Sequence, residues 1–145
     1  MTEIHKKAAV PYAADEMYAL VNNIEAYPEF LPWCRAARVL NSDPHRLTAS
    51  VDLEIGKIKQ TFTTENTMQP GCSIKMQLVE GPFKHLQGHW QFEPDNTDSS
   101  TVSLDMNFEF KNKLLKLALN NTFSKVMESL MASFIKRAQE VYGQR

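Results

Sequence analysis

Four histidines, two cysteines and a scatter of carboxylates are the side chains of this sequence that could attack a substrate, shuttle a proton or hold a metal. His85 and His89 stand at the H-x-x-x-H spacing that points two imidazoles at one ion when it falls on a helix. Here the pair falls on a turn and a strand, where four extended residues cover about 13 Å. Two bonds of about 2 Å cannot close that gap on one metal. Cys34 and Cys72 lie far apart with no C-x-x-C unit, so neither a zinc knuckle nor a redox pair is read from them. No glycine-rich phosphate loop, nucleophile elbow or inward pair of carboxylates occurs, and the acidic residues of the alternating segments fall on their wet side. The expectation is a non-enzymatic protein with no catalytic residue, no metal and no required cofactor.

What remains is binding chemistry. Tyr27-Pro28-Glu29-Phe30-Leu31-Pro32-Trp33-Cys34 puts aromatics and prolines where the pattern predicts a loop, and Gly81-Pro82-Phe83-Lys84-His85-Leu86 puts Phe83 in a turn. Either could be the lip of an apolar pocket or a loop tucked onto the core. Between Ile58 and Met68, the parity that buries Ile58, Phe62 and Met68 also turns Gln60, Thr64 and Asn66 inward. Buried polar groups need partners, so this strand reads either as part of a ligand-filled interior or as an edge with both faces in water. Met68, Met76, Met106, Met127 and Met131 fall on or near inward faces, where thioethers suit a deformable pocket and equally an ordinary core. Lys111, Lys113, Lys116, Lys125, Lys136 and Arg137 decorate the last segment, and Lys57 and Lys59 flank a turn. Such a row is a solvated face or a phosphate-contacting patch.

The elements that must position these groups follow from periodicity. Val10-Pro11 ends a short first strand, and Met17, Leu20, Val21 and Ile24 fall at i, i+3, i+4 and i+7 in a helix starting near Ala13. Glu25 to Leu31 adds a turn that Pro32 stops. From about Trp33 the period becomes two. Ala49, Val51, Leu53 and Ile55 alternate with polar residues, as do Ile74, Met76 and Leu78, then Leu86, Gly88, Trp90 and Phe92, then Val102 through Phe110. Half-buried alternation belongs to antiparallel sheets. Asp43-Pro44, Pro70-Gly71, Gly81-Pro82 and the Pro94 to Ser100 stretch are turns, which predicts five or six strands in a meander.

Asn112 to Tyr142 then lays Leu119, Phe123, Val126, Met127, Leu130, Phe134, Ala138 and Val141 along one helical face, capped by Asn112 and ended by Gly143. At about 1.5 Å per residue this helix would outrun most sheets, so a bend near Asn120-Asn121 is predicted. Sheet and helix must cover each other, because nothing else in the chain is large enough to do so. The expected fold is α+β, of the helix-grip kind: a curved antiparallel sheet wrapped around a long C-terminal helix, in one domain over 1–145. A net charge of −1 and a pI near 6.4 argue against a chain whose main task is gripping polyphosphate by bulk electrostatics, so no DNA partner is expected, and a local basic patch is left open. Without a secretory leader or an apolar membrane-spanning stretch, the expected location is cytoplasmic, with at most peripheral and transient contact at the inner face of the membrane.

Taken in order, Val10-Pro11-Tyr12, the Tyr27 to Cys34 run, Thr61-Phe62-Thr63-Thr64, Gly81-Pro82-Phe83-Lys84 with Leu86, Trp90 and Phe92, and Phe108-Glu109-Phe110 before the terminal helix resemble the coenzyme-Q-binding START-domain family over essentially the whole chain. The resemblance implies a START-like fold with a tunnel for an isoprenoid or other lipid. It also implies two branches of function. One binds ubiquinone as a carrier or chaperone supporting respiration. The other is a ribosome-association toxin that binds the large ribosomal subunit and blocks subunit joining, inhibiting translation initiation. The wider superfamily's polyketide cyclase or dehydrase label finds no catalytic residues here. The leading expectation is binding of an apolar ligand, ubiquinone or a related quinone or isoprenoid. The tunnel would be lined by Phe62, Met76, Leu78, Trp90, Met106, Phe108, Phe123 and Met127, with Phe30, Leu31, Pro32, Trp33 and Phe83 at its mouth. In the alternative, Lys113, Lys116 and Lys125 contact the ribosome.

Overall fold

The computed structural model describes residues 1–145. Alternation of apolar and polar residues builds β3 (Arg46–Ile55), β4 (Ile58–Gln69), β5 (Ser73–Glu80), β6 (Phe83–Pro94) and β7 (Ser100–Phe110). Two more strands complete the sheet, β1 (Thr2–Val10) and β2 (Cys34–Asp43), separated by helix α1 (Ala14–Asn22) and a 3-10 segment over Ile24–Glu29. All seven strands form one antiparallel sheet in the order β1-β7-β6-β5-β4-β3-β2, so β2 to β7 run as a meander and β1 crosses to the far edge. The count of five or six strands is therefore corrected to seven. The strand least visible in the sequence is β2, where only Cys34 is buried and no face alternates.

Register shifts interrupt the ladders between Cys34 and Ala36, Val39 and Asn41, Thr63 and Thr64, and Phe83 and His85. Such irregularities bend a strand and increase its twist, which helps an open sheet curl. At Gly81, φ is +154° and an added Cβ would sit 2.6 Å from Cβ of Phe62, so the β5–β6 turn can approach β4 only without a side chain.

The concave face is covered by α2 (Lys113–Glu128) and α3 (Leu130–Tyr142). Asn112 caps α2, its side chain accepting the Leu115 N–H at 2.9 Å. The bend expected at Asn120-Asn121 lies instead at Ser129. Asn120 remains helical, and its side chain meets the Thr2 hydroxyl of β1. The Ser129 N–H is shared between the carbonyls of Lys125 and Val126, and its hydroxyl donates to Val126 O at 2.6 Å. A serine competing for carbonyls of the preceding turn tightens and bends a helix without Pro or Gly.

The far end of α3 is latched to the start of α1. Arg145 donates to both carboxylate oxygens of Glu16 at 2.6 and 2.9 Å, while Tyr12 OH donates to Gly143 O and Tyr142 OH to Glu16 O. The Arg145 hydrogen bond, aided by the Ala13 N–H, holds the Glu16 carboxyl below its ordinary value. A lowered folded pKa contributes stability that is complete above the unfolded value and is lost as pH falls through the folded one. Arg145→Ala is therefore expected to lower Tm modestly at neutral pH and not at all once pH is below the depressed Glu16 value. Thermal melts of both proteins across pH 2 to 7 check this, and a pH-independent difference would mean that stacking of Arg145 on Tyr12 and Tyr142 carries the effect.

Cys34 is buried and its thiol is pushed up to about 11, chiefly by burial. Cys72 is exposed. Because the thiolate is the reactive form, a thiol reagent at pH 8 should modify Cys72 promptly and Cys34 only on unfolding. Two fast equivalents in the native protein would contradict the placement of Cys34.

Candidate functional site

Between sheet and helices lies a cavity of about 60 Å³, lined by 16 residues of which 14 are hydrophobic. The sheet supplies Ala49 and Val51 from β3, Phe62, Thr64 and Asn66 from β4, Met76 from β5, Leu86 and Trp90 from β6, and Met106 from β7. The helices close it with Phe123 and Met127 from α2 and Leu130 and Phe134 from α3, and Ile24, Tyr27 and Trp33 form the remaining wall. Small-molecule pockets typically run to roughly 300–1,000 Å³, so a long lipid tail would require these side chains to move. Gly88 faces this interior, where an added Cβ would lie 2.8 Å from Cε of Met76 and 3.6 Å from Cε of Met106. Two flexible thioethers thus fold over the space that the missing side chain leaves.

Of the residues expected to line a tunnel, Phe62, Met76, Trp90, Met106, Phe123 and Met127 meet at this cavity, and two do not. Phe108 is fully buried behind it, its ring 4.8 Å from that of Phe123 and 6.3 Å from that of Phe83. Leu78 lies beyond the end of the cavity, in an outer groove with Val79, Pro82 and Leu115. Among the expected mouth residues only Trp33 reaches the cavity. Leu31 and Phe83 are buried, at 1% and 3% exposure, and Phe30 packs on Phe134 beneath Arg137. Phe83 is a plug, lining the outer groove on one side and stacking edge-on against Phe62 on the other. Pro32 is exposed and touches neither space.

The polar residues are more telling. Strand β4 lies between β3 and β5, so it is no edge, and Thr64 and Asn66 are each 4% exposed. The Thr64 hydroxyl donates to Asn66 Oδ1 at 3.1 Å. Gln60 reaches only the outer groove. Periodicity marked Thr64, Asn66 and Leu86 as inward on their strands and Phe134 on the apolar helical face, although Leu86 and Phe134 were not expected as tunnel walls. Ile24 was legible only as an apolar helical position, and the place of Ile24 and Tyr27 at the cavity follows from how the 3-10 segment packs on β2.

His85 and His89 sit on the outer face of β6. His85 is hydrogen-bonded to Asn107, and burial followed by the Lys75 charge lowers the pKa of His89.

On α2, Lys113, Lys116 and Lys125 are all exposed, and no acidic residue occurs from Lys111 to Met127. They do not form one row. At about 100° per residue, Lys113 and Lys125 flank an outward face whose centre is Leu114, Leu117 and Asn121, while Lys116 lies about 60° beyond Lys113 on the far side from Lys125. Leu114 and Leu117 are 80% and 85% exposed.

The sequence profile of the family described as polyketide cyclase / dehydrase and lipid transport matches residues 10–135. The chain belongs to this family. Within it, the chain is 43% identical to the ribosome association toxin RatA of Escherichia coli, over all of this chain and 92% of that protein. It is 24% identical to the mitochondrial coenzyme Q-binding protein COQ10 homolog B of Xenopus laevis, over 99% of this chain and 60% of that one. The fold matches a START superfamily protein from Mycobacterium smegmatis with a TM-score of 0.80 at 20% identity, covering 96% of this chain and 98% of that one. The helix-grip architecture is thus the family's, and the whole-chain likeness is stronger to the toxin than to the quinone-binding protein. No helix is long and apolar enough to cross a membrane.

Proposed function

We propose that this protein acts on the ribosome in the manner of RatA, binding the large subunit, blocking subunit joining and so inhibiting translation initiation. The observation that carries the reading is the 43% identity across the full length of the chain. The acid-free stretch of α2 supports it, because lysines flanking two exposed leucines offer both charge for phosphates and apolar area for a macromolecular surface. On this reading the protein works by occupancy, without catalysis, at or near the cytoplasmic ribosome pool. The test is sedimentation of purified protein with separated ribosomal subunits. Comigration with the large subunit and a loss of joined ribosomes are expected, and absence from every ribosomal fraction would remove the proposal.

A second reading, compatible with the first, is that the cavity receives an apolar molecule such as a quinone or isoprenoid. It is favoured by the 14 hydrophobic residues around a space that also presents Asn66. Native mass spectrometry of the protein purified from cells, followed by solvent extraction, would detect such a molecule.

A further inference from the structure

Asn66 is 4% exposed, sits in the middle of the sheet, and its Oδ1 is already engaged by Thr64. Its Nδ2 makes no hydrogen bond within the protein, and the residue lines the cavity. Asn22 Oδ1 is the one side-chain polar atom that is both sealed off and unpartnered, so Asn66 Nδ2 keeps some accessible surface. A donor without an acceptor in a residue that lines a mostly apolar cavity is costly. A leucine of similar shape would fit among Phe62, Met76, Trp90 and Met106 without that cost. From this we infer that Asn66 is a recognition group for the carbonyl oxygen of an apolar ligand. Its Nδ2 donates to that oxygen, and the Thr64 hydroxyl holds the amide in the donating orientation.

The ligand class follows from the surroundings. The other lining groups near Asn66 are hydrocarbon, thioether and aromatic, and no Lys, Arg or His lines the cavity. A carboxylate or phosphate would therefore enter without a countercharge, which a low-dielectric interior disfavours strongly. A neutral ketone, quinone or ester oxygen requires only a donor. The cavity of about 60 Å³ must widen to admit even a monocyclic ketone. The methyl ends of Met76 and Met106 over Gly88 are the parts that can rotate aside at least cost.

This inference rests on the second reading above, that the cavity binds an apolar molecule. The experiment compares acetophenone with cumene, two probes of nearly the same shape that differ in a carbonyl oxygen against a methyl group. Their affinities for the wild-type protein and for Asn66→Leu are measured by NMR titration of the amides around the cavity. Comparing ratios cancels the difference in their hydration, as in a double-mutant cycle. Asn66→Leu is expected to shift the acetophenone-to-cumene affinity ratio by at least about tenfold toward cumene, while raising Tm. A residue that serves only the fold would lower Tm when replaced. Should Asn66→Leu not fold, Thr64→Val is expected to move the ratio in the same direction by a smaller factor. An unmoved ratio with both probes bound would overturn the role of Asn66 and leave the cavity reading intact. Binding of neither probe by the wild-type protein would overturn both.

Discussion

Truncating Phe123 to alanine is expected to cost about 3–5 kcal/mol of folding stability, the range for deleting a buried aromatic ring. Phe123 is 1% exposed, and its ring centroid lies 5.3, 4.8 and 5.6 Å from those of Phe83, Phe108 and Phe110. It is the contact through which α2 closes over β6 and β7. Removing it withdraws apolar area, breaks three aromatic contacts and adds volume to the neighbouring cavity, and strands that are hydrogen-bonded on both sides have little freedom to collapse into the gap. Domains of this size are commonly stable by only about 5–15 kcal/mol, so the variant should retain a native state with a much reduced margin. In urea, where slopes are about 1–3 kcal/mol per M, the midpoint should fall by more than about 1 M. A loss below about 1 kcal/mol would mean that Met127 or Leu119 refills the site, and that the helix is anchored elsewhere.

Exchanging Lys113, Lys116 and Lys125 together for glutamate should reduce affinity for the large ribosomal subunit by at least about 100-fold at moderate salt, because polyanion binding loses counterion release with every phosphate contact removed. All three side chains are exposed, so folding should be nearly unaffected, and thermal melts supply that control. The salt dependence is the more specific readout. Each lysine in contact with phosphate should flatten the slope of log affinity against log salt by somewhat less than one unit. Because Lys125 lies about 180° around the helix from Lys116 at about 100° per residue, single exchanges should separate the two faces. Full retention of binding by the triple variant would place the ribosome-contacting surface away from α2, even if the protein still cosediments.

The sequence showed most where one face of an element is wet and the other dry. Strands β3 through β7 and the apolar stripe of the terminal helices were legible because burial alternates along them with the period of the element. Edge strand β2 was not, since Cys34 is its one fully buried residue and Ala37 and Val39 reach the core only half-buried, in a ladder interrupted by register shifts. The helix irregularity escaped for a related reason. Ser129 acts through hydrogen bonds to the preceding turn, and a serine in a helix sequence does not announce that choice. Six of the cavity's aromatic and methionine walls followed from parity, whereas Phe83, read as a lip because it follows Gly81-Pro82, turns inward and plugs. Sequence reading also ranked lipid carriage ahead of ribosome binding, since inward apolar residues are conspicuous and a basic helix face is commonplace. Whole-chain likeness to RatA reverses that order.

The helices that cover the apolar face of the sheet follow all seven strands in the chain. A chain made from its N-terminus therefore presents Val51, Phe62, Trp90 and Phe108 before Phe123 and Phe134 exist to cover them. Contacts of such long sequence separation form late and slowly, and a partly made sheet has nothing to bury itself against. The basic stretch of α2 likewise follows all seven strands. On the proposed ribosomal reading, this order puts manufacture of the sheet ahead of the surface that would act: the basic helix face cannot take its place until the strands it packs on have been made.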